Sequence, residues 1–346
     1  GLTGAARKPP QTKDSRMIET NMDASGSSHC SAAKRPRVSI SFSGGRSSAV
    51  MTKMILDRFR NTAEIVVTFA NTGCEHEATL QFVRDCDENW GFNTVWIEAI
   101  IGGEGVGPRA NVVSFETASR DGKPFEAAIK KHGIFNPAMP NCTGRLKVEP
   151  MWAYLRDYLG WSRGECITAI GIRADECDRC NPKWREQGLW YPLVEWGIGR
   201  KQVNAMMKMA SFDLKLPGDH YGNCVWCWKK TDRKLLTVAK HNPEVFDFPK
   251  RMEELYGNVK PTRIKDEPRW CEEKRTFFRK GRSTQDMLDL AAAGNFEEYR
   301  DKTEQLSFPF WDDEWDNDLD VGGGCGDSCE IGADDRFGGM DAANCE

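Results

Sequence analysis

Ser41-Phe42-Ser43-Gly44-Gly45-Arg46-Ser47-Ser48 follows the alternating, β-branched run Arg37-Val38-Ser39-Ile40 and opens the apolar-periodic stretch Ala49-Val50-Met51-Thr52-Lys53-Met54-Ile55-Leu56. The order is strand, glycine turn, helix. Gly44 and Gly45 let the backbone turn tightly and approach a ligand with no Cβ in the way. The hydroxyls of Ser43, Ser47 and Ser48, with the first N–H groups of the helix, face an anion. Ser41 through Ser48 is therefore a candidate phosphate cradle; as a bare sequence it also reads as a helix cap. It is neither the G-x-x-x-x-G-K-[ST] loop nor the G-x-G-x-x-G turn.

Outward from this loop, strands and helices alternate: strand 38–42, helix 47–59, strand 64–69, helix 75–90 and strand 94–98. A looser segment spans 102–140, then a helix over 147–159 and a strand over 166–171. This rhythm predicts an α/β fold, a Rossmann-like (HUP-type) parallel sheet flanked by helices, with a smaller, mostly helical C-terminal region. The expected organisation is a disordered N-terminal arm over 1–36, a nucleotide-binding domain over 37–240, a helical extension over 241–310 and an acidic, cysteine-bearing tail over 311–346. The chain has 346 residues, 39% of them apolar, and a formal net charge of -4. No run of eighteen apolar residues or leading hydrophobic segment occurs, so neither a membrane span nor secretion is expected and the cytoplasm is the default.

In an open α/β sheet the ligand lies beyond the carboxyl ends of the strands, and two further loops qualify. Phe69-Ala70-Asn71-Thr72-Gly73-Cys74-Glu75-His76-Glu77 offers a turn, polar side chains and a helix start where adenine can lie. Gly171-Ile172-Arg173-Ala174-Asp175-Glu176 puts an arginine where it can fork onto phosphate oxygens, with Asp175 or Glu176 to fix it or to hold Mg²⁺.

Thirteen cysteines, clustered and odd in number, fit metal or redox chemistry better than a disulfide framework. Asn141-Cys142-Thr143-Gly144-Arg145-Leu146-Lys147-Val148-Glu149-Pro150 and the later Asn223-Cys224-Val225-Trp226-Cys227 place three thiolates near positive charge, which suits an iron–sulfur cluster. Cys180, from Cys177-Asp178-Arg179-Cys180, is the candidate fourth ligand, and the same set suits tetrahedral Zn²⁺. Trp226-Cys227-Trp228-Lys229-Lys230-Thr231-Asp232-Arg233-Lys234 and Phe277-Phe278-Arg279-Lys280-Gly281-Arg282 either contact a nucleic-acid backbone and stack bases or neutralise a nucleotide and a cluster.

The cradle resembles the PP-loop of the adenine-nucleotide α-hydrolase superfamily, which includes ATP pyrophosphatases and phosphoadenylyl-sulfate (PAPS) reductases. Its usual form is S-G-G-x-D-S, and Ser47 stands where Asp is usual. Phe69–Glu77 is similar to the D-T-G segment, with Asn71 for Asp, which implies adenine and ribose contacts around Asn71, Thr72 and Gly73. Gly171–Glu176 is similar to G-x-R-x-D-E, which implies that Arg173 engages phosphate or sulfate. The Cys142, Cys224 and Cys227 contexts resemble adenylyl-sulfate reductases, which hold a 4Fe-4S cluster on a Cys-Cys pair followed by R-K-x-x-P and a later C-x-x-C; Asn141-Cys142 replaces the pair.

The likeness is strongest to PAPS-reductase-like proteins of phages and bacteria. It implies an enzyme that uses ATP at the α-phosphate in sulfur transfer: the glycine turn and Arg46 hold the pyrophosphate, Asp175 or Glu176 holds Mg²⁺, and an adenylated acceptor, tRNA or DNA among the candidates, receives sulfur from a donor such as a cysteine desulfurase. A three-thiolate cluster in such relatives leaves one iron open for hydrosulfide. The alternative is a PAPS or APS reductase acting with thioredoxin through Cys325 or Cys329, although the family's E-C-G-x-H setting is absent. A third reading is a non-catalytic nucleic-acid-binding module.

Overall fold

The structure is a computed structural model that describes residues 35–103, 107–260 and 272–300. Six strands form one sheet: β1 (Arg37–Ser41), β2 (Glu64–Asn71), β3 (Val95–Ile100), β4 (Arg109–Val113), β5 (Ile167–Ile170) and β6 (Leu189–Trp190). Their order is β4-β3-β2-β1-β5-β6, and every pairing is parallel except β3 with β4. The central strands are buried on both faces, as a parallel sheet covered by helices requires. Val38, Ile40 and Phe42 face one core and Ser39 and Ser41 the other side.

Crossovers supply the covering helices. The first face packs α1 (Arg46–Phe59) and α2 (Glu77–Trp90), together with Val203 and Met207 of α6 (Arg200–Lys208). The opposite face receives α4 (Glu149–Leu159), whose Met151 meets Ala70, Ile97 and Ala110 and whose Leu155 meets Trp161 and Cys166. A wide π-turn over Gly144–Val148 leads into α4, with Glu149 N–H bonded to the Gly144 carbonyl. Pro150 has no N–H to give to the Leu146 carbonyl, so the regular bond at that step cannot form.

The segment expected to be loose carries the edge strand β4 and α3 (Lys123–His132). Helix α3 buries Phe125, Ala128, Ile129 and His132 along one stripe. This stripe begins a second core, joined by Tyr221 to Trp228, by Leu235 and Val238 of α7 (Asp232–His241), by Met252 of α8 (Asp247–Tyr256) and by Met287 and Ala291 of α9 (Thr284–Ala293). The short α5 (Pro192–Glu195) follows β6. The mostly parallel, Rossmann-like α/β architecture expected from the strand–helix alternation is the one observed.

Candidate functional site

The strand order reverses at β1, whose neighbours β2 and β5 lead to opposite edges of the sheet. Such a switch point opens a crevice between the loops that leave the two strands. Ser43–Ser48 leaves β1 and Gly171–Glu176 leaves β5, and they touch: a Cβ on Gly171 would stand 2.9 Å from the Ser48 Cα. Gly44 has φ +79°, and a side chain there would reach within 2.6 Å of the Thr79 methyl on α2. Both glycines are therefore required by the backbone path and the closeness of neighbouring elements. Gly45 caps the start of α1 and has no side chain to take its first N–H groups.

Around that helix start the hydroxyls are organised. Ser43 Oγ and Ser48 Oγ are 2.9 Å apart, and Ser48 Oγ donates to the Gly45 carbonyl at 3.0 Å. Arg173, only 2% exposed, directs Nη1 to Ser47 Oγ at 3.0 Å, Nε to Asp175 at 3.2 Å and Nη2 to Glu176 at 3.0 Å. Burial pushes the Asp175 carboxyl up, but the Arg173 charge and the N–H of Arg200 outweigh it and hold the group below its ordinary range. Glu176 Oε1 also takes Arg179 at 2.7 Å, while its buried Oε2 has no hydrogen-bond partner. That orphaned oxygen fits a hydrated Mg²⁺; Asp175 and Glu176 both otherwise serve to fix Arg173.

Arg46 is placed differently from the expectation. Its guanidinium grips Asp213 through two bonds of 2.7 and 3.0 Å and the Leu214 carbonyl at 3.1 Å, which ties Nε and Nη2 away from the cradle. Asn71 differs too. Its amide donates to Glu98 at 2.6 Å and to the Ser119 carbonyl at 2.8 Å, and its carbonyl accepts the Gly73 N–H at 3.2 Å. Fully buried and committed at both ends, the side chain shapes the turn and is not presented to a base. Ser41 is buried on β1 beneath the cradle.

Thr72 turns toward a second feature. A pocket is lined by Thr72, Lys147, Cys142, Cys224, Cys227 and aromatic residues including Trp226. The three cysteines singled out from spacing thus share one cavity. Its wall is largely apolar, with Trp226 packed against Phe125, Phe248 and Phe277. Lys147 is 7% exposed and pairs with Glu75 at 3.4 Å, bringing positive charge to the thiols. Buried Lys230 donates to the carbonyls of His220, Cys224 and Val225 at 2.7, 3.0 and 2.9 Å, clamping the C-x-x-C loop. Among the described residues no three His, Cys, Asp or Glu side chains close on the position of a single metal ion; the thiols line walls. Sulfur donors around a lysine-bearing cavity fit a cluster in their chemistry.

Cys180 lies elsewhere, packed with Ile170, Ile172, Leu189 and Tyr191 beyond β5. Burial, with Cys177 and Asp178 adding, pushes its thiol up to about 11. Cys74, which the spacing argument passed over, stands beside Cys224. Burial raises its thiol well above the usual range, the Cys224 thiol and Glu75 add to this, and a Trp226 hydrogen bond and Lys147 oppose it. Asp213 was missed, while Lys147 and Lys230 were read only as members of basic stretches, without the partners that the fold gives them.

The aromatic members of the two basic runs, and Arg279 and Arg282 with them, are spent internally. Trp226, Trp228, Phe277 and Phe278 are buried, which removes them as stacking platforms for bases. Arg279 donates to the Lys229 and Lys230 carbonyls, both at 2.7 Å, and Arg282 pairs with Asp232. Cys325, Cys329 and the terminal arms lie outside the described residues. Within these, no helix is long and apolar enough to cross a membrane.

The family described as phosphoadenosine phosphosulfate reductase domain matches residues 37–196, which take in the cradle, the β2 loop and the Arg173 loop. The chain is also similar to the "Uncharacterized nin region protein ORF290" of Escherichia phage lambda, at 34% identity over 205 residues, covering 58% of this chain and 69% of the phage protein. On fold, site and relatives together, the chain belongs to the phosphoadenosine phosphosulfate reductase family of the PP-loop superfamily.

Proposed function

We propose that the chain is an ATP-using enzyme of sulfur chemistry that works beside an iron–sulfur cluster. What carries the reading is the convergence of the diglycine turn with buried Arg173, since Nη1 of the guanidinium meets Ser47 at 3.0 Å in the crevice where the sheet reverses. A helix start and a fixed arginine hold a polyphosphate at its charged end. The first turn of α1 would take the pyrophosphate of ATP, and Glu176, with its unpartnered Oε2, or Asp175 would hold Mg²⁺.

An acceptor oxygen forms a bond to the α-phosphorus as the bond from that phosphorus to the pyrophosphate oxygen breaks. Negative charge moves onto the departing pyrophosphate, where the α1 N–H groups and Arg173 stabilise it. The acceptor's proton passes to solvent. Cys142, Cys224 and Cys227 would hold a 4Fe-4S cluster, which would supply electrons and charge beside the nucleotide loop. Thr72 and Glu75, on the loop between cavity and sheet, hold the two regions in register.

A second reading is favoured by the family description itself: reduction of an adenylyl sulfate, in which a thiol such as Cys325 or Cys329 attacks the sulfate sulfur. Calorimetry with ATP and with adenylyl sulfate, followed by assays for pyrophosphate and for sulfite in the presence of thioredoxin, separates them. Tight ATP binding with pyrophosphate release supports the first; sulfite release replaces it with the second. Absence of affinity for either nucleotide overturns both.

A further inference from the structure

The loop after β2 is tied main chain to main chain to the loop that carries the C-x-x-C pair. The Cys74 carbonyl accepts the Val225 N–H at 3.1 Å, and Glu75 forms an antiparallel bridge with Cys224. Thr72 Oγ1 stands 3.4 Å from Cys224 Sγ at the same corner. The Cys74 side chain packs against the core that contains Cys224, Trp226 and Cys227, the core against which Cys142 also packs, and its thiol is hydrogen-bonded by Trp226 and interacts with the Cys224 thiol. By contrast, Cys180 follows β5, which is separated from β2 by β1, and packs into a different apolar cluster.

Resting on the reading of Cys142, Cys224 and Cys227 as cluster ligands, we infer that Cys74 is the fourth thiolate. Three separate segments then converge on one cluster: the β2 loop through Cys74, the stretch just before the π-turn through Cys142 and the clamped loop through Cys224 and Cys227. Four thiolates satisfy all four irons of a 4Fe-4S cluster. No iron is left open for hydrosulfide, so sulfur cannot ride on this cluster, which instead sets the charge and rigidity of the wall next to the nucleotide loop.

The full chain, reconstituted anaerobically, is assayed for iron and sulfide and, after reduction, by electron paramagnetic resonance with and without sodium hydrosulfide. The wild type and Cys180→Ser are expected to carry the same iron, and hydrosulfide leaves the wild-type signal unmoved. Cys74→Ser is expected to lose at least half of its iron and to gain a signal that shifts with hydrosulfide, with an unchanged far-ultraviolet circular dichroism spectrum. Wild-type iron content and spectrum in Cys74→Ser would overturn the assignment while leaving the cluster reading intact. If that variant fails to fold, the wild type decides, since a hydrosulfide-dependent shift there means an open iron and refutes a fourth thiolate. A wild-type chain that takes up no iron overturns both.

Discussion

At the residue scale, Asn71 accounts for its own departure from the acidic residue usual at that place. Its amide donates 2.6 Å to Glu98, which also accepts the Ser119 N–H at 2.6 Å. An aspartate there would set two carboxylates face to face in a fully buried position. Asn71→Asp is accordingly expected to cost about 2–4 kcal/mol at neutral pH, because like charges without solvent cannot both stay ionised. The introduced carboxyl has a raised pKa in the folded state, so the folded chain binds the extra proton first; the deficit shrinks as pH falls toward 4 and grows as it rises. Urea unfolding of both proteins across that range measures it, and an equal deficit at both ends would refute the repulsion. The substitution was visible in the sequence, but its reason was not, because Glu98 lies 27 residues away on the neighbouring strand. Arg46 makes the same point: nothing near it in sequence announces Asp213, 167 residues on.

At the element scale, the strand–glycine–helix unit was legible because its signals are local. The expected first strand and helix lie within one residue of β1 and α1. Strand β6, of two residues, is too short to show an alternation, and α3 lies between Gly122 and Gly133 with no side-chain cap to mark its start. The three cavity cysteines were found from spacing, since C-x-x-C is a local pattern, whereas Cys74 enters through a strand-like pairing that only the fold creates. The Lys230 run read equally well as a basic surface. Its ammonium is instead the element that shapes the loop over 220–227, because three carbonyls point at one buried cation. Lys230→Met removes the donor and leaves those carbonyls without it, at an expected cost on the order of 3 kcal/mol. Iron content after reconstitution should fall with it, while exposed Lys201→Met changes neither. Thermal unfolding and iron analysis of the two variants provide the check, and a Lys230→Met chain as stable as the wild type would remove the clamp from the account.

At the scale of the whole molecule, the two cores meet different demands. The sheet core is built from apolar side chains, whereas the second core, which surrounds the thiols, adjoins His132 at 4% exposure. This residue ends α3, where the helix carbonyls would favour a cation, yet burial dominates, with Arg145 and Lys131 adding, and the imidazole is lowered to about 4. The folded chain therefore keeps His132 neutral at pH values where the unfolded chain has begun to take a proton. Between pH 6.5 and about 4 the unfolded state binds more protons, so stability rises with pH through that window and falls as acid is added. Full protonation of the unfolded imidazole with none in the fold corresponds to roughly 3 kcal/mol. His132→Phe keeps an aromatic ring against Phe135 and removes the titration, so its stability should follow a flatter course than the wild type below pH 6.5. Because the loss is centred in the core that holds Cys224 and Cys227, iron release from the reconstituted wild type should begin in the same window, ahead of any change in the nucleotide cradle. Parallel pH profiles of unfolding, of visible absorbance and of ATP binding test that order, and ATP affinity lost at a higher pH than the cluster would reverse it.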